Sequence, residues 1–386
     1  IQASDLKSWK DEVIKQLTAR ISSLKKNVQV HKISQVLTKQ DVSTCLSSLH
    51  EKFVIVPIDK AANNFAFICK KYYIQVLLKE VDFLNNSSAT YSKKDTSVDD
   101  MVERHVSFAS KFGYKVTEKE KSLPFMYWTP KCHKSPIGHR FIVASSNCST
   151  KQLANDVSKA FRLVFNQVRN FHEKSHFYSN FNQFWVVENS TPILEKLKRC
   201  NLKRNAKSID TFDFATLYTK IPHDKLVDTL IKVIDFTFKG GKKKFIATAT
   251  RTAFWTNKSS LGISKKDLKS IVEYLITECH FTVGNIVFTQ DIGIPMGISP
   301  APFFANLFLQ HYESIFMKTL MKNNVVEARK FHGTYRFIDD LFTLNNNNVF
   351  GKSHHDIYPA ELELKLEHSG THATFLDLDI SVENKM

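Results

Sequence analysis

The stretch YRFIDDLF, Tyr335 to Phe342, sets two adjacent carboxylates between two apolar arms. Tyr335, Arg336, Phe337 and Ile338 on one side, and Leu341, Phe342, Thr343 and Leu344 on the other, are rich in aromatic and branched residues. They read as two antiparallel strands joined by a tight turn, with Asp339 and Asp340 at its tip. Two explanations compete for the acidic pair. Asp is a common turn residue, because it tolerates tight geometry and hydrogen-bonds its own backbone. Alternatively, neighbouring carboxylates repel unless a divalent ion neutralises them, and Mg²⁺ prefers a few carboxylates plus substrate phosphates. The rest of the chain has to decide.

With 386 residues, 42% of them hydrophobic, the chain buries a sizeable core and is globular. Fifty-four Lys+Arg against 38 Asp+Glu give a net charge of +16, spread along most of the chain as a binder of phosphate backbones needs. An aromatic content of 12%, including 31 Phe, favours a folded nucleic-acid binder over a basic tail. The six cysteines are scattered without CxxC pairs and read as reduced intracellular thiols, neither a disulfide framework nor a zinc site. Cys132-His133 and Cys279-His280 lack metal-ligand spacing and read as core or surface residues. No apolar run approaches the length of a membrane span and no signal peptide is present, so the expectation is a soluble, non-secreted protein with no membrane partner. The opening Ile1 and the closing SVENKM read as the boundaries of a fragment.

Along the chain, Leu6, Trp9, Val13, Ile14, Leu17, Ile21 and Leu24 fall at helical spacing, which makes 1–50 a helical N-terminal extension. FVIVPIDKAANNFAFICKK reads as two strands about a polar turn, and LNNSSATYSKKDTSVDD as an exposed loop. FMYWTPKCHKSPIGHRFIVASS is a hairpin with Lys131, Lys134 and Arg140 clustered at its loop, either a solvated basic turn or a phosphate-gripping one. SIDTFDF is a strand ending in Asp213. Asp210, three residues earlier, falls on the opposite face of a regular strand. A helix follows from His223, and Ser264 caps another whose apolar face is Leu268, Ile271, Val272, Leu275 and Ile276. HFTVGNIVFTQ is a hairpin about Gly284-Asn285. Ser299-Pro300 reads as an N-cap and first-turn proline opening a long helix.

A strand ending in Asp213, helices, a glycine loop at Gly297 feeding a helix, and a hairpin with Asp339 and Asp340 form the order of a two-metal polymerase palm. Phosphoryl transfer of that kind needs carboxylates from separate strands to hold two Mg²⁺. In this order the motifs resemble those of reverse transcriptases, in the form carried by Penelope-like retroelements. DFATLYTKIP, GIPMGISPAPFFANLF and YRFIDDLF are similar to that family's A, B and C motifs. VIVPIDKAANN, PKCHKSPIGHRFIVASS and HATFLDLDI are similar to its upstream finger elements and downstream palm segment. The resemblance covers roughly residues 51 to 380, with all six motifs in order.

The resemblance implies an α+β right-hand polymerase fold, with fingers over 51–204, a palm over 205–386 and the thumb absent or truncated. It implies RNA-directed DNA synthesis with an RNA template, a DNA primer, deoxynucleoside triphosphates and two Mg²⁺, for which Mn²⁺ substitutes, and a nuclear location. By the same resemblance Asp213 and Asp339 bridge the metals, and Asp340 is the second carboxylate of motif C. Tyr218 is a steric gate against the ribose 2′-hydroxyl. Arg140 and Lys131 grip the triphosphate, and Gly297 lets backbone approach the nucleotide and template. Met296 beside it is loop filler. Departures from the family pattern are Phe337 where many members carry Tyr, Asp-Lys-Ala for Asp-Lys-Gly in the upstream motif, and no match to a GIY-YIG endonuclease. An inactive or domesticated nucleic-acid-binding remnant is the second reading. An RNA-dependent RNA polymerase is the third, and Tyr218 argues against it.

Overall fold

The computed structural model describes residues 10–20, 22, 38–85, 88–203, 206–239, 244–259, 262–294, 297–346 and 349–383. The chain forms two compact units, Ile1–Ile55 and Val56–Met386. In the first, residues 10–20 are helical. Leu6, Trp9, Ile21 and Leu24 lie outside the described residues. Helix α1 (Lys39–Lys52) is opened by a capping box, in which Thr38 and Asp41 each accept a hydrogen bond from the other's backbone N–H. Strand β1 (Phe53–Ile58) follows.

Beyond β1 the chain continues with β2 (Ala61–Cys69), α2 (Lys70–Glu80), β3 (Tyr91–Lys93), α3 (Val98–Ser110), β4 (Phe125–Lys131), β5 (Gly138–Ala144) and α4 (Lys151–Ser179). After α5 (Thr191–Lys203) come β6 (Ile209–Phe214), the single turn α6 (Leu217–Lys220), α7 (His223–Thr237), β7 (Phe245–Thr248), β8 (Ala253–Thr256), β9 (Ile263–Ser264) and α8 (Lys265–Thr277). The remainder is β10 (His280–Val283), β11 (Ile286–Gln290), α9 (Ala301–Asn323), α10 (Val325–Lys330), β12 (Thr334–Phe337), β13 (Asp340–Leu344), α11 (Val349–Ile357), β14 (Leu364–Gly370), β15 (His372–Phe375) and β16 (Leu378–Ser381).

Two sheets position the acidic residues and the basic hairpin. One is antiparallel in the order β12-β13-β6-β14, and the other runs β3-β11-β10-β4-β5. The second draws β3, β4 and β5 from before residue 204 and β10 and β11 from after it, so neither stretch completes that sheet alone. β7, β8 and β9 form a smaller sheet, and β15 pairs with β16. The main core lies where α4, α7, α8 and α9 pack together and against the first sheet. Phe161, Leu230, Ile271, Phe304, Phe308 and Leu341 are all buried there.

Much of this follows from local chemistry. All five apolar residues expected on the face of α8 are buried, and Ser264 caps that helix in a capping box with Asp267. Helix α9 buries Phe304, Leu307, Phe308, Leu309 and Met317 around most of its circumference, the pattern of a central helix. Gly284 turns the β10–β11 hairpin in the left-handed region, which glycine adopts without a Cβ clash.

Two expectations are corrected. The polar stretch after Leu84 contains β3, whose Tyr91 is buried against Phe281 at 5.5 Å between ring centroids. Three residues are too few to show alternation in sequence, and it is the pairing with β11 that makes this segment a strand. Ser299 does not cap α9. Its hydroxyl donates to Asn155 Oδ1 at 2.6 Å, and Pro300 occupies the cap position. Met296 lies outside the described residues. The six cysteines are free thiols. Among the described residues no helix is long and apolar enough to cross a membrane.

Candidate active site

Register brings the carboxylates together. β13 runs antiparallel to β6 with Asp340 opposite Asp213, Leu341 opposite Phe212 and Thr343 opposite Asp210. Directly opposed residues project to one face, so Asp340 and Asp213 share a face and Asp210 takes the other. Asp210 is buried and accepts a 2.6 Å hydrogen bond from Ser369 Oγ, which gives it a structural partner away from the Asp213 face.

The turn differs by one residue from the sequence expectation. Ile338 and Asp339 form it, and Asp340 is already the first residue of β13, opposite Phe337. Ile338 has φ +54, a conformation that a β-branched side chain adopts at a cost on the order of 1–3 kcal/mol. Beside it, the Asp339 carbonyl accepts a hydrogen bond from the Phe214 amide at 3.2 Å, which ties the turn to the end of β6.

The acidic face carries more negative charge than its surroundings offset. Burial, then Asp339, Asp213 and Glu367, push the Asp340 carboxyl up to about 6, while Lys60 opposes them. Burial, then Asp339 and Glu367, also raise Asp213, with Lys134 and Lys60 acting in the other direction. Such a face fits a divalent cation, whose charge would relieve the repulsion. Among the described residues no group of three His, Cys, Asp or Glu side chains is arranged to hold an ion by itself. A cation here would therefore complete its shell with substrate phosphates and water, the coordination Mg²⁺ favours.

Tyr218 sits on α6, four residues beyond the end of β6, with its ring against the main core. Its hydroxyl is pushed up to about 12 by burial first and then by Asp339, against which Arg336 and Arg140 act. Tyr218, Asp339 and Arg140 thus share one electrostatic neighbourhood. The backbone there is packed closely: a Cβ on Gly293 would lie 2.2 Å from the Tyr218 carbonyl oxygen.

Arg140, on β5, donates from Nη1 to Asp59 Oδ1 at 2.9 Å, and its side chain remains 48% exposed, so it is held without being buried. Lys131 ends β4 opposite Gly138, and among the described residues it makes no ion pair. Gly297 has φ +99, and a Cβ there would meet the Val143 carbonyl oxygen at 2.2 Å. Its carbonyl accepts from Ser145 Oγ at 2.7 Å. The close approach that excludes a side chain at Gly297 is therefore to the backbone of β5, within the protein.

Register and charge bring Asp213, Asp339, Asp340, Tyr218 and Arg140 together, whereas Lys131 stands at the end of β4 opposite Gly138 and Gly297 packs on the backbone of β5. Sequence reasoning missed Lys60, Lys134 and Glu367 as charges acting on the aspartates. For Lys134 the signal was present, in the basic loop of the β4–β5 hairpin. It also missed Arg336 and Glu313, whose signal was a charge inside an apolar strand and another inside an apolar helix.

No protein-family model matches the chain, and no curated protein matches its sequence. Solved structures do match. The telomerase of Candida albicans, in complex with the TWJ fragment of telomeric RNA, superposes with a TM-score of 0.60 at 12% identity, over 90% of this chain and 58% of that one. The apo telomerase of Candida tropicalis truncated from its C-terminal domain gives 0.58 at 12%, over 87% and 63%. Another structure of apo telomerase from the same organism gives 0.55 at 13%, over 96% and 64%. The shared feature is the fold. The chain spans about three fifths of the length of these telomerase chains, and its mixed α+β architecture is theirs over that span.

Proposed function

We propose that this chain is the RNA-directed DNA polymerase of a Penelope-like retroelement, extending a DNA primer 3′-hydroxyl on an RNA template in the nucleus. In this reading 51–204 are fingers and 205–386 the palm. The observation that carries it is the pairing of Asp340 with Asp213 beside the constrained turn at Ile338 and Asp339. The fold shared with telomerases, one of them bound to RNA, and the net charge of +16 support a nucleic-acid partner.

Asp213, Asp339 and Asp340 would hold Mg²⁺, with Mn²⁺ as a substitute. The metal would supply charge neutralisation at the attacking and leaving oxygens of nucleotidyl transfer. Tyr218 presents its ring to the sugar of the incoming nucleotide and excludes a 2′-hydroxyl. Arg140, held by Asp59 and half exposed, offers its remaining donors to the triphosphate. Lys131 and Lys134 add positive charge along the same hairpin, while Gly297 keeps the loop before α9 against β5.

Primer extension tests the reading. Wild-type protein with Mg²⁺ or Mn²⁺ should add deoxynucleotides to a DNA primer on an RNA template, and Asp339→Asn should add none. Hybrid binding with zero extension by both proteins would replace the polymerase with a nucleic-acid-binding remnant.

A further inference from the structure

Arg336 lies in the apolar arm of the motif that carries the aspartates, and it is completely buried. Its guanidinium has five N–H donors, and each has an acceptor. Nε donates to Glu313 Oε1 at 2.6 Å and Nη2 to Glu313 Oε2 at 3.3 Å. Nη1 donates to Asn306 Oδ1 and Nη2 to the Asn306 carbonyl, at 2.8 and 3.2 Å. The fifth bond runs from Nη1 to the carbonyl of Ile338 at 2.8 Å. Ile338 is the turn residue with φ +54, and Asp339 is the next residue along the chain.

Both ends of this network are fixed. Arg336 is pinned through its backbone, its amide donating to the Trp185 carbonyl at 2.7 Å and its carbonyl accepting from the Val187 amide at 2.8 Å. Glu313 is also completely buried, and it accepts a further bond from the Tyr358 hydroxyl at 2.9 Å. Burial, then Glu313, keep that hydroxyl protonated and hence a donor. Asn306 and Glu313 lie on α9, the helix that follows the Gly297 loop. A buried pair of this kind is weak evidence for stability, because an apolar replacement often stabilises equally well. A retained pair whose fifth donor reaches a strained turn calls for another explanation.

We infer that Arg336 is a positioning residue: fixed on α9 by Glu313 and Asn306, it holds the Ile338 carbonyl so that the unfavourable turn presents Asp339 and Asp340 beside Asp213. This inference rests on the proposed polymerase reading for its catalytic consequence, but its structural content is independent of it. Lysine cannot replace the fork, having three donors on one nitrogen.

The test compares wild type, Arg336→Lys, Asn306→Ser and the double variant Arg336→Lys/Ile338→Gly. Thermal unfolding, hydrogen exchange and steady-state primer extension are measured on each. In Arg336→Lys, exchange should rise at the Phe214 amide and across Thr334–Leu344. kcat should fall about 10²-fold, the order of loss that a misplacement near 1 Å produces, with KM for the nucleotide little changed. Asn306→Ser, a milder change that keeps Glu313 paired, should move the same readouts in the same direction by less. Glycine adopts φ +54 without strain, so Ile338→Gly should recover part of the lost kcat in the double variant. Normal exchange at the turn and wild-type kcat per folded molecule in both single variants would reduce Arg336 to a stabilising residue and overturn the inference. If wild type itself does not extend primers, the polymerase reading falls, and the exchange data alone then decide whether Arg336 holds the turn.

Discussion

Asp340 stands opposite Asp213 across the β13–β6 pair, so two carboxylates that repel each other occupy facing positions on one side of a sheet. Burial and the neighbouring carboxylates disfavour the ionised form of Asp340. Asp340 moves from an ordinary value of 3.8 to about 6. Each pKa unit corresponds to about 1.4 kcal/mol, so after screening at a partly exposed site the ionised form is disfavoured by roughly 1–2 kcal/mol. Asp340→Asn should therefore raise stability by about that amount at pH 7 in EDTA, read as a higher Tm, while reducing nucleotide incorporation. An unchanged or lower Tm would mean the acidic face is not under repulsion.

The hairpin, the helix face of α8, and the opposite faces of Asp210 and Asp213 were legible because each depends on local periodicity or turn chemistry. The one-residue shift of the turn was not. Nothing in FIDD indicates that Ile338, a poor residue for φ +54, would enter the turn in place of Asp340, because the register is set by pairing with β6. Arg336 was read only as part of an apolar arm. Its side-chain partners Glu313 and Asn306 lie on α9, and such distant pairings leave no local periodicity. Ser299 had the chemistry of a cap, but Asn155, distant in sequence, competes for its hydroxyl.

The raised carboxyl fixes the sign of a pH effect. A folded-state value above the unfolded one means the folded protein binds the extra proton, so the contribution from Asp340 is complete below about pH 4 and is lost as the pH rises through about 6. Incorporation should run the opposite way, falling as the pH drops because protonated Asp340 is a poorer ligand, and its midpoint should lie below about 6 because a bound cation relieves the repulsion that raises this carboxyl. Titrating Tm in EDTA and single-turnover rate with the metal against pH should give slopes of opposite sign. Parallel slopes would remove Asp340 from the chemistry.

Tyr218 should act through the bulk of its ring. Tyr218→Val should increase kcat/KM for ribonucleotides relative to deoxynucleotides, and Tyr218→Phe should leave the ratio near wild type. Competition between the two nucleotide classes in one primer-extension reaction reads the ratio directly. A ratio unmoved by valine would mean the ring only packs against the core.

Arg140 is expected to contribute ground-state binding. A hydrogen bond to a charged group is worth about 1.5–3 kcal/mol, so Arg140→Ala should raise KM for the nucleotide roughly 10- to 100-fold with a smaller change in kcat. Asp59→Asn, which removes the carboxylate charge that competes for the guanidinium, should lower KM. Rapid-quench measurements at varied nucleotide concentration separate the two parameters.

Gly297→Ala should destabilise the protein by about 1–3 kcal/mol, through the unfavourable φ and the clash with the Val143 carbonyl. Chemical denaturation would show a lower midpoint at an unchanged m-value. A neutral substitution would show that the loop and β5 separate easily.

The five-stranded sheet also orders events during synthesis. Among the described residues β3 pairs with β11 alone, about two hundred residues later in the chain, and β4 and β5 join the same sheet through β10. As the chain leaves the ribosome at about 5–20 residues per second, the β4–β5 hairpin waits for many seconds with one edge unpaired. During that interval it is open to chaperones, or to another nascent copy, until β10 and β11 emerge.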